Sequence, residues 1–99
     1  MAAVGDVFSD YSNDLANGGY LDAKPAASHE ATVHNIYHES DVELYWTDGT
    51  NEFKIDADTS FGAYAYYAFH VTNSIYLRIK NVAGSAKDLG FDGVYTKVA

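Results

Sequence analysis

Between Val42 and Ile79 the chain twice alternates apolar and polar residues with a period of two, separated by short polar turns, and this pattern limits the fold more than any other feature. Successive side chains of a strand point to opposite faces, so such alternation makes a sheet with one buried side. Val42, Leu44 and Trp46 alternate with Glu43 and Tyr45. Thr47-Asp-Gly-Thr-Asn51 follows, with Asp48-Gly49 as the pair that accepts positive φ in a hairpin turn. On the return strand the pattern predicts Phe53 and Ile55 inward and Glu52, Lys54 and Asp56 outward. Later, Ile75, Leu77 and Ile79 alternate with Tyr76, Arg78 and Lys80, which predicts another half-buried strand.

The rest of the chain is read around these segments. Residues 1–24 hold no sustained period and predict an extended N-terminal arm, with Asn17-Gly-Gly19 as a turn. A short helix over Val7–Ala16, capped by Ser9 or Asp6, is the alternative for part of it. Leu21 to Pro25 reads as an edge strand that Pro25 ends. Asp56 to Gly62 reads as a polar loop, and Ala63 to Val71 as a strand whose parity slips at Tyr66-Tyr67, as at a bulge. Gly84-Ser85 marks a turn before a last strand through Leu89, Phe91 and Val94, where Gly90 and Gly93 permit bends or close approach. Six or seven short antiparallel strands make a single all-β, jelly-roll-like sandwich over residues 25–99, with a small barrel as the alternative. No internal repeat is visible, which excludes propellers and solenoids.

Ninety-nine residues make one domain, and a chain this short buries only about two-thirds of its unfolded surface. It contains no cysteine, so disulfides, thiol catalysis and zinc-thiolate sites are excluded. Stability then rests on one well-filled core or on neighbouring subunits. Fourteen acidic against six basic residues give a formal charge of −8, which repels phosphate backbones and anionic lipid and argues against direct nucleic-acid or membrane binding. The acidity serves solubility or life in high salt. No stretch is long and apolar enough to span a bilayer, and the N-terminal residues lack the pattern of an export signal.

Little points to catalysis. His34 and His38 on one strand would sit about 13 Å apart, too far for one metal ion, and His70 reads as structural. Asp56 and Asp58, with Asp48 and Glu52 nearby, are the weak candidates for a calcium loop, but the spacing lacks the glycine and bidentate glutamate of an EF-hand. No nucleophile motif, zinc motif or phosphate-cradling loop is present, so the reading is a non-enzymatic protein without a cofactor. Aromatic residues make up 15%, nine of them tyrosine. An exposed set of Tyr45, Tyr64, Tyr66, Tyr76 and Tyr95 would serve a protein interface or stack on sugars, or else cap the core edge. Phe8, Tyr11 and Arg78 complete the candidate interface, with Trp46 as a further sugar platform.

The stretches Val33-His-Asn-Ile-Tyr-His38, Asp41-Val-Glu-Leu-Tyr45, Asp48-Gly-Thr-Asn51, Phe69-His-Val-Thr-Asn-Ser74, Tyr76-Leu-Arg-Ile-Lys-Asn81 and Gly90-Phe-Asp-Gly-Val94 together resemble small β-sandwich virion proteins of tailed viruses. The likeness spans about residues 24–97. With the acidic balance, it implies a virus of a halophilic archaeon and a homo-oligomeric component of the particle surface, a capsid decoration, turret or tail module that contacts major capsid or other virion proteins. The alternative function is a carbohydrate-binding adhesion module for host surface glycans.

Overall fold

The computed structural model describes residues 2–99, which form nine strands and, among the described residues, no helix. These are β1 (Val7–Leu15), β2 (Tyr20–Ala23), β3 (His29–His38), β4 (Val42–Thr47), β5 (Glu52–Asp58), β6 (Gly62–Tyr64), β7 (Phe69–Thr72), β8 (Tyr76–Asn81) and β9 (Lys87–Val98). They build two antiparallel sheets packed as a β-sandwich. The first runs β1-β9-β3-β6, with β7 also pairing with β3; the second runs β2-β8-β4-β5.

The core lies between the inner faces. Val33 and Ile36 of β3 and Leu89 and Phe91 of β9 meet Val42 and Leu44 of β4 and Leu77 and Ile79 of β8, all essentially buried. Each such side chain contributes about 1.5–3 kcal/mol by leaving water. The hairpin over β4 and β5 forms as predicted, with Gly49 at φ 94° and the Asp48 carboxylate accepting from the backbone N–H of Thr50 and Asn51. Gly93 sits where β9 passes between Phe8 and Val33, and a Cβ there would lie 1.9 Å from the Thr32 carbonyl oxygen. Only glycine permits that approach, as the sequence suggested.

Four expectations are corrected. The expected 1–24 arm does not hold over the described residues, and Val7–Ala16 is not a helix: β1 pairs with β9, and β2, the edge strand read over Leu21 to Pro25, with β8, so this segment supplies one edge to each sheet. Its period was invisible because Phe8 is the sole fully buried side chain of β1. Asn81, fully buried, pins the connection: its amide donates to the carbonyls of Leu15 and Ser85, and its backbone bonds to Gly18 and Gly19. The second correction concerns β5, which continues to Asp58, yet all seven of its residues are exposed. A register shift between Leu44 and Tyr45 inserts a bulge at Ile55, so Asp56 and Asp58 pair with the inward Leu44 and Val42, while Phe53 pairs with Trp46 and is nonetheless 71% exposed. Third, the predicted 63–71 strand is two strands on β3, parted by a full excursion with Tyr66 at φ 64°. Fourth, Ile75 lies in the turn before β8 and is exposed.

Candidate functional site

The candidate contact residues divide by burial. Phe8 is core, tilted against Phe91 and edge-on to Tyr95. Tyr64 is core too, and Tyr76 is roofed by Lys24 and by Gly49 of the hairpin turn. Arg78 points outward from β8, but its guanidinium forks onto Asp22, reaches Glu52 at 2.7 Å and lies over the Tyr20 ring. Those contacts hold its proton even more tightly than usual and leave it mostly covered. Phe8, Tyr64, Tyr76 and Arg78 are thus not exposed contacts, and the five tyrosines do not share a face. Tyr95 is half-buried against the core, and so is Trp46. Tyr45 lies on the outer face of the second sheet, its hydroxyl donating to Glu43, which pushes the phenol up to about 12.

The residues proposed for metal do not converge on a site. Asp58 meets the buried His38 at 3.2 Å, and Asp56 bonds the neighbouring Ala57 N–H. Among the described residues no group of three potential ligands forms. His34 sits in a bulge of β3 bonded to the Tyr67 carbonyl, away from His38, and His70 is exposed. The buried Tyr64 hydroxyl has no partner, and desolvation, then the charges of Asp56 and Asp58, push it up to about 12.

Two exposed surfaces remain. The first is the open side of the sandwich, where β5 ends one sheet and β6 and β7 end the other. Phe53, Ile55, Phe61, Tyr66, Tyr67 and Ile75 are all exposed in this stretch, Tyr66 almost fully, at 99%. Trp46, Phe53 and Ile75 line a shallow recess of about 240 Å³. Side-by-side addition of another strand to β5 is blocked in part by the bulge and by charged Asp56 and Asp58. The apolar side chains, more than the backbone edge, are what this surface offers.

The second surface is a groove of about 660 Å³ on the outer face of the first sheet. Tyr11 of β1, Gly90 of β9 and Tyr37 of β3 stand in one row across three strands, so two rings flank a position without a side chain. At about 4.8 Å per strand, the two tyrosine Cα atoms lie about 9.6 Å apart. Asp88 and Asp92 lie on either side of Gly90 along β9. The Tyr11 hydroxyl donates to Asp88 and the Tyr37 hydroxyl to Asp92 at 2.8 Å, and Asn35 donates to Asp92 as well. These bonds raise both phenols and hold Asp88 below the usual carboxylate range. Glu39 also lines the groove, as does the backbone of Asp10, whose side chain takes the face of Phe8 and Phe91; no lysine or arginine is among the lining residues. Of these residues, sequence reasoning found Tyr11 as a contact and Gly90 as a place of close approach. It missed Tyr37 because the bulge between Val33 and Asn35 resets the parity of β3.

No family model matches the chain, and the search of curated proteins returns no relative.

Proposed function

We propose that this chain is a structural module that works by assembly: a homo-oligomeric component of a particle surface rather than an enzyme. The observation that carries this reading is the open side of the sandwich, with Phe53 71%, Phe61 83% and Tyr66 99% exposed within a stretch of 23 residues numbered 53–75. Clustered exposed rings of this kind mark contact surfaces, and aromatic side chains dominate the energy of such contacts. A small domain without disulfides gains stability from burying them. The resemblance of residues 24–97 to tailed-virus sandwich proteins supports a place on the outside of a virion, as a capsid decoration, turret or tail module.

The test is sedimentation of the purified chain. Native protein is expected to sediment as a defined oligomer, and a Phe53→Ser, Phe61→Ser variant to shift towards monomer with an unchanged circular dichroism spectrum. A native chain that stays monomeric at hundreds of micromolar overturns the homo-oligomer reading. Mass spectrometry of purified particles reads the location.

A further inference from the structure

We propose that the groove over Gly90 receives a lysine side chain from the opposite face of a second copy, so that copies stack face to back. The inference rests on the assembly reading above and names a second contact within it.

Charge carries the argument. Glu39, Asp88 and Asp92 line the groove, and every hydrogen bond their side chains accept comes from a neutral donor: tyrosine hydroxyls, an asparagine amide or backbone N–H groups. None is in an ion pair among the described residues. Pinned in place and uncompensated, these carboxylates make a preorganised anionic trough between two tyrosine rings. An ammonium group fits both features, since aromatic faces and carboxylates each attract it. A neutral saccharide would use the rings but leave three like charges facing one another.

The matching cations lie on the other side of the same molecule. On the outer face of the second sheet, Lys54 is taken by Glu43 and Arg78 by Asp22 and Glu52. Among the described residues Lys24 and Lys80 are in no ion pair; they rest over the rings of Tyr76 and Tyr45 at 5.1 and 5.8 Å. These three acids thus stand on one face and these two bases on the opposite one. A contact between unlike faces is heterologous, so each copy can use both, and repetition gives a ring or a column.

The experiment uses two variants, one reversing each face: E39K/D92K and K24E/K80E. Native protein in low salt is expected to self-associate, and 1 M NaCl, with a screening length of about 3 Å, to weaken the association at least tenfold. Each variant alone is expected to lose it to a similar extent. Mixed one to one, the two are expected to re-associate, because the acidic groove of one meets the restored basic face of the other; a misfolded variant could not do this. Association that survives in both variants but is lost in the Phe53→Ser, Phe61→Ser protein overturns this inference and leaves the assembly reading standing. Folded variants that fail to re-associate on mixing overturn it as well. A native monomer at every salt concentration overturns both, and groove tyrosine resonances that shift with methyl α-mannoside but not with N-acetyl-lysine amide assign the groove to a saccharide instead.

Discussion

Two residues show how far single positions carry this fold. Gly93 lies against the backbone of β3, and backbone cannot swing aside as a side-chain end can. Gly93→Ala is therefore expected to cost about 3 kcal/mol or more, read as a lowered denaturant midpoint. The Tyr64 hydroxyl is buried with no partner. Removing an unsatisfied hydroxyl relieves its desolvation, so Tyr64→Phe is expected to be neutral or to add about 1 kcal/mol, read by thermal melting. A loss of 2 kcal/mol or more would mean that the hydroxyl has a partner in the folded protein. The first of these positions was legible in the sequence, as a glycine marking close approach. The second was not, since alternation around Tyr66-Tyr67 fails where the chain leaves the sheet, and Tyr64 was read outward when it faces the core.

Among the elements, the β4–β5 hairpin and β8 were readable because their alternation is regular and their turn chemistry strong. Asp48 caps the hairpin through the N–H groups of Thr50 and Asn51, which hold its carboxyl below the usual range. Asp48→Ala is expected to lower stability, read as a reduced denaturant midpoint. The sequence also suggested that Phe53 and Ile55 close the core, and here it failed for a reason beyond β5 itself. An inward side chain is buried only if another element covers it, and the opposing sheet ends in the short β6 and β7. β1 failed in the other direction, whereas the edge strand read over Leu21 to Pro25 forms as β2. β1 lacks a visible period because it is an edge strand that lends few anchors to the core, yet its backbone groups are satisfied by β9.

At the scale of the whole molecule, charge sets the response to pH. Glu43, Asp48 and Asp88 all titrate below their ordinary values in the folded protein, chiefly through hydrogen bonds from Tyr45, from backbone N–H groups and from Tyr11 respectively. Their contribution is present above about pH 4.5 and is lost as pH falls through the lowered folded values. Tyr45 and Tyr64 titrate near 12 instead of 10, so the folded state favours the neutral phenol. That contribution is complete below pH 10 and declines as pH rises towards 12. A plot of unfolding free energy against pH is therefore expected to fall at both ends, and a flat alkaline limb would contradict the Tyr45 and Tyr64 environments. The amino-acid sequence by itself determined the all-β class, the main hairpin, the inward faces of β4 and β8 and the absence of thiol chemistry, because period, turn residues and composition are local properties. Only the tertiary structure decided that residues 7–15 are a sheet edge, which tyrosines are covered, and that Tyr11, Gly90 and Tyr37 form one row. Those are pairings between segments up to about eighty positions apart, and a bulge of one residue is enough to reverse which face a side chain takes.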